Sequence, residues 1–284
     1  NSEEIYTYIN KIAREVRKKY PDTVFFTQTK NNAYSTVPVT EPPERDIVIE
    51  VLTARPAVED YSKSLDLMRS WRNAGARVLL KSYPRYPAWK NYPIMNPAFA
   101  ADYFRTFQGV AEGPRQSDLR ENVPFSFCAL NQYIQARATF EGDLDAESAV
   151  ADFCALAYPG AEAEMVEFYQ VMENLLGRNS VWENPLYQSY RADKLAAPYA
   201  ILTKARAKVT DDRYLAPLIR DFAAFKKASE AVYNVVAAHD RLLAAYREKQ
   251  EKTVSDLKLP VGEVVGLELY PKSPTVDFQP GSVK

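Results

Sequence analysis

The chain has 284 residues, enough for one large domain or two ordinary ones, either with a substantial core. Its 36 lysines and arginines balance 37 aspartates and glutamates with no long block of one sign, which argues against nucleic acid or an anionic membrane as a partner. No apolar run reaches the ~20 residues that cross a bilayer, and the opening Asn1-Ser2-Glu3-Glu4 is not a signal peptide, so a soluble chain is expected.

Taken in chain order, Ser2 with Glu3 and Glu4 opens a helix whose apolar positions, Ile5 to Val16, keep helical spacing until Pro21. Thr23 to Thr27 predicts a strand running into the polar segment Gln28 to Tyr34. Asp46 to Leu52 predicts a second strand, apolar on both faces except at Glu50, the pattern of a parallel strand covered by helices. A helix follows from Tyr61 to Ala74, closed by Gly75. Ala76 to Lys81 is a third strand, and Pro97 to Gln108 a further helix.

Between that strand and that helix, Tyr83, Tyr86, Trp89 and Tyr92 recur every third residue among Pro84, Pro87 and Pro93. A proline-rich extended chain turns about once per three residues, so the four rings can share one side of the loop, as a site for sugar rings requires. Prolines and aromatics also pack together simply to order a long loop, and the spacing alone leaves both readings open. Beyond the helix, Gly109-Val110-Ala111-Glu112-Gly113 places a carboxylate among small residues, where a fourth strand is expected to end.

From Ser117 the pattern turns helical. Phe125 to Phe140, Ala146 to Ala157 capped by Asp145, and Ala161 to Leu176 are predicted helices, the last two separated by Tyr158-Pro159-Gly160. Two long amphipathic helices follow the irregular stretch 177–190. In the last, Tyr214, Leu218, Phe222, Phe225, Val232, Val236 and Leu243 form a stripe expected to face the core. The two cysteines, Cys128 and Cys154, lie in apolar helical contexts without metal-ligand spacing and are expected as small buried hydrophobes. The one histidine, His239, sits far from any nucleophile motif, so neither a Ser-His-Asp nor a Cys-His mechanism is expected, and no metal or organic cofactor.

Strand, loop and helix thus repeat at (β/α)8-barrel spacing, with the longer loops after the strands, but four strand signals make only half a barrel. A smaller open α/β sheet is the structural competitor. The order of the signals resembles a bacterial family, named only as a domain of unknown function, which belongs with α-glucuronidase-like and β-N-acetylhexosaminidase-like (β/α)8-barrel glycosidases. The matching residues are Tyr6 to Ala13, Lys19-Tyr20-Pro21-Asp22, Trp71, Ser82-Tyr83, Gly109-Val110 with Glu112, Tyr133 to Arg137, and Asp145 through Asp152-Phe153 to Ala161.

The resemblance implies the C-terminal half of a TIM barrel over residues 1–116 and a helical domain over 117–256. Residues 257–284 would be a linker or the start of a β-rich segment. It also implies an exported, extracellular or periplasmic protein acting on plant or algal polysaccharide, with the missing N-terminal half of the barrel as a partner. Such chemistry uses two carboxyl groups about 5–5.5 Å apart for retention or about 6.5–9.5 Å for inversion. Glu112 is the first candidate, as general acid/base or acceptor for sugar hydroxyls, with a merely solvated glutamate as the alternative. Glu50 is the second, with an ion pair to Arg55 or Arg77 as the alternative. Arg85, Lys81 and Arg115 are candidates to hold a uronate, and Asn31, Asn32 and Tyr34 to bond sugar hydroxyls. The functional expectation is a glycoside hydrolase-like protein that binds carbohydrate. A non-catalytic glycan binder and a helical interaction scaffold are the alternatives.

Overall fold

The computed structural model describes residues 2–29, 36–44, 46–52, 61–82, 93, 95–116, 124–176 and 190–256. Helix α1 (Ser2–Lys19) carries Glu3 and Glu4 in its first turn and Arg17, Lys18 and Lys19 in its last, complementing the helix dipole at both ends. It buries Tyr6, Asn10 and Ala13, one to each turn. The Asn10 amide donates to Pro42 O at 2.9 Å and accepts the Glu44 N–H at 2.9 Å, fixing the chain that leads into the second strand.

Four parallel strands follow in the order in which they occur: β1 (Phe25–Gln28), β2 (Ile47–Leu52), β3 (Arg77–Ser82) and β4 (Pro114–Gln116). Helices α2 (Ser62–Asn73) and α3 (Pro97–Phe107) lie between β2 and β4 in the chain. Side chains alternate across each strand. Ile47, Ile49 and Val51 of β2 and Val78 and Leu80 of β3 enter the apolar core with Met68 and Trp71 of α2 and Phe104 and Phe107 of α3. Tyr6 closes this layer from α1, its ring 4.7 Å from that of Trp71.

This sheet corrects the barrel expectation. Among the described residues β1 and β4 pair on one side only, so the sheet is open and four strands wide, and eight helices dominate the chain. Closure needs about eight tilted strands around an axis. Val24 and Phe26 at the β1 edge stay 53% and 47% exposed. Among the described residues the arrangement is therefore a small open parallel sheet with helices and not a (β/α)8 barrel.

The helical half consists of α4 (Phe125–Phe140), α5 (Ala146–Ala157), α6 (Glu162–Leu176), α7 (Ala192–Arg206) and α8 (Leu215–Asp256). The same apolar cluster that holds the sheet continues through Leu130, Ile134, Phe153, Phe168 and Phe222 to Phe225. Asp145 caps α5 by accepting the Ser148 N–H at 2.8 Å. Gly160 turns the chain into α6 at φ +91°, close against the Lys208 carbonyl. The core-facing stripe expected along the last helix holds only in part. Leu218, Phe222 and Phe225 are buried, whereas Tyr214 is exposed and no described residue of α8 beyond Phe225 is buried. The expected segment 257–284 lies outside the described residues.

Candidate functional site

The register of the sheet decides which side chains share its second face. Phe26 stands beside Val48, Glu50 between Gln28 and Leu79, Leu52 beside Lys81, and Lys81 beside Arg115. This face holds residues the apolar core does not take in: Val48, Glu50, Leu79 and Lys81 are all outside that cluster. Glu50 is nonetheless 1% exposed and Lys81 9%. Their charged ends stand 4.0 Å apart, Lys81 Nζ to Glu50 Oε2. Withdrawing a carboxylate and an ammonium from water costs several kcal/mol unless each has charged or hydrogen-bonding partners, so an ion pair at this depth is a feature to be explained. The sequence offered Arg55 or Arg77 as the partner of Glu50. The ion pair found is with Lys81, and Arg55 lies outside the described residues.

The backbone around Glu50 is fixed as well. Its carbonyl accepts both the Thr29 N–H at 2.8 Å and the Thr29 hydroxyl at 3.3 Å, extending the β1–β2 ladder beyond Gln28. Because the strands are parallel, the chain leaves β1, β2 and β3 at one common edge, the carboxyl edge. Segments 30–35, 53–60 and 83–92 begin there in the sequence. The candidates Asn31, Asn32, Tyr34, Tyr83, Arg85, Tyr86, Trp89 and Tyr92 all fall in these segments and lie outside the described residues. Where the chain is next described, Pro93 O accepts the hydroxyl of the buried Tyr190 at 2.9 Å. Asn96 and Asn131 then join through two amide hydrogen bonds of 3.3 and 3.0 Å. Ser82, before the aromatic segment, thus lies in the sheet, and Pro93, after it, is bonded to the helical half.

Glu112 is placed differently from the expectation. It precedes the fourth strand instead of following it, and its N–H bonds Val78 O at 2.8 Å, level with the start of β3. Arg77, the first residue of β3, donates to Glu112 Oε2 from Nη2 at 2.7 Å and from Nε at 2.9 Å. Both side chains are nearly half exposed, and the bond to Glu112 raises the Arg77 guanidinium further above its ordinary range. Glu112 thus stands just before β4, level with Val78 and, through the register of β2 on β3, within one residue of Glu50 along the strands. Strand β3 stands between it and β2, a lateral backbone separation of about 10 Å from Glu50. The two carboxylates are bound to different cations.

Buried amides on α4 went unforeseen: Asn131 and Gln135 are 8% and 4% exposed, and Asn96 joins them from the start of α3. Their signal is the spacing of four residues, which puts Asn131 and Gln135 on the helix face that also buries Phe127, Ile134 and Ala138. A cleft of about 260 Å³ between α3, α5 and α6 was equally unforeseen, lined by Asp102, Arg105, Asp145, Glu147 and Glu173 among others. Most of its polar groups have structural work. Asp145 caps α5, Glu173 accepts the Ala98 N–H at 3.0 Å, and Arg105 joins Asp102 at 2.7 Å and the Leu144 carbonyl at 2.8 Å. Among the described residues no group of three or more His, Cys, Asp or Glu side chains is arranged to hold a metal, and no helix is long and apolar enough to cross a membrane. No family model matches the chain, and neither a curated protein nor a solved structure matches it.

Proposed function

We propose that the chain binds a carbohydrate at the carboxyl edge of its parallel sheet, with Glu50 as a fixed acceptor for sugar hydroxyls. The observation that carries this reading is the Glu50–Lys81 pair, withdrawn from water on the sheet face that the apolar core leaves aside. Ligands of open α/β sheets gather outside the carboxyl ends of the strands, because the loops of several strands begin there. Tyr83, Tyr86, Trp89 and Tyr92 start one residue beyond Ser82, so the ring series is tethered to the same edge. Stacked ring faces and a charged acceptor together make a sugar site: the rings cover the apolar face of a pyranose, and the carboxylate accepts from its hydroxyls.

Binding without hydrolysis is the form the geometry favours. Glu50 and Glu112 are bound to different cations, with β3 between their backbones, whereas hydrolysis needs two carboxyls flanking one bond. A glycan array carrying plant and algal oligosaccharides, followed by calorimetric titration of each hit, tests the reading. The expected result is a saturable hit that Trp89→Ala weakens at least about tenfold, with no turnover of the matching aryl-glycosides. No binding across the array removes the reading. Turnover of an aryl-glycoside replaces it with the hydrolase.

A further inference from the structure

The 42-residue α8 leaves the body of the protein midway. Up to Phe225 one face, Leu215, Leu218, Phe222 and Phe225, is buried in the core. The 31 residues from Lys226 to Asp256 continue for about 46 Å at the helical rise and include no buried side chain among those described. Arg191, at the start of α7, lies with its guanidinium 4.9 Å from the Tyr233 ring, close to where the arm departs.

The arm is not polar all round. Val232, Val236, His239, Leu243 and Tyr246 succeed one another at intervals of four, three, four and three residues. Val235 and Leu242 widen the stripe on one flank and are 64% and 69% exposed. Over these two heptads the interval averages 3.5 residues, which suits a seam covered by another helix running alongside. A surface of irregular shape imposes no such interval.

The charges on the arm select among helical partners. Lys226 to Asp256 carries six lysines and arginines and five aspartates and glutamates, with the signs interspersed. A nearly neutral, mixed surface neither attracts an anionic membrane nor repels a second copy of itself. Closed twofold pairing puts the same stripe on both sides of the interface, so a seam of this kind needs no second component. We propose that two copies of this chain associate through the projecting half of α8, pairing their Val232–Tyr246 stripes as a two-stranded coiled coil. This goes beyond carbohydrate binding and does not depend on it.

Sedimentation equilibrium of the full chain at about 100 µM tests the proposal. The expected mass is about 64 kDa, twice the 32.2 kDa chain. Val236→Glu with Leu243→Glu, which places charge in the seam, weakens association at least about 100-fold and returns the mass to that of one chain. Ala238→Glu, on the exposed side of the helix, leaves the dimer intact. Circular dichroism checks the fold, and the melting temperature of the folded body stays within about 2 °C in both variants, because no buried residue is changed. A monomeric wild type overturns the proposal, as does a dimer unaffected by the paired substitution. A monomer that the same substitution destabilises also overturns it, and assigns the stripe to a segment of the same chain.

Discussion

At the scale of single residues, Glu50 was conspicuous in the sequence because a charge inside an otherwise apolar parallel strand contradicts its surroundings. Which cation would meet it was not legible, since that depends on the register between β2 and β3, set by packing far along the chain. Glu112 shows the opposite limit. Its small neighbours suggested the end of a strand, but β4 is three residues long and opens on proline, so no apolar run revealed that the strand follows the glutamate. The cysteines divide in a way that can be measured. Burial pushes the Cys154 thiol up to about 12, assisted by the nearby Glu162, and leaves it inaccessible. Cys128 is only partly covered. Labelling of the native protein by a disulfide reagent at pH 8 is expected to modify one thiol per chain, and Cys128→Ser to abolish the reaction. Rapid modification of both thiols contradicts the packing of α5.

At the scale of elements, the helices were the most legible because their signals are local. Phe125–Phe140 and Ala146–Ala157 have the expected bounds, and Asp145 caps the second as its position predicts. Asp145→Ala removes the acceptor of the Ser148 N–H and is expected to cost about 1 kcal/mol in urea unfolding. Gly160→Ala is expected to cost more, about 3 kcal/mol. Its φ of +91° is unfavourable for any side chain, and an added Cβ meets the Lys208 carbonyl at 2.7 Å. That turn also docks the helical half on itself: Pro159 O accepts the Thr210 N–H at 2.9 Å. Equal stability of wild type and Gly160→Ala contradicts the turn. The last helix was read correctly as amphipathic and incorrectly as core-facing throughout. Periodicity tells which side of a helix is apolar, while what covers that side is a matter of tertiary structure.

At the scale of the whole molecule, strand count was legible and closure was not, because the same parallel repeats build an open sheet or a barrel, depending on contacts remote in sequence. The charge network has a collective consequence. Several carboxylates sit below their ordinary values: Glu162 through the Gly160 N–H, Glu3 through the Val39 N–H, Glu41 through Arg14, Glu141 through Arg137 and Glu164 through Lys208. A folded value below the unfolded one means that the folded state binds fewer protons on acidification. The stability these groups add is present above the ordinary glutamate value of 4.5 and is lost as pH falls through the lowered folded values. The melting temperature is expected to be flat from about pH 5.5 to 7.5 and to fall below about pH 4.5, less steeply in high salt because none of these groups is buried. A melting temperature that rises on acidification contradicts the network.

The carboxyl side of the sheet, with Glu50 two residues before the end of β2, is the part of the molecule to which a function is assigned. Calorimetric titration of one array-positive oligosaccharide into wild type, Glu50→Gln and Glu112→Gln tests that assignment most directly. The account predicts that Glu50→Gln loses at least about tenfold in affinity, the value of a hydrogen bond to a charged acceptor, while Glu112→Gln binds as wild type does. Unchanged binding by Glu50→Gln, or a loss confined to Glu112→Gln, contradicts it.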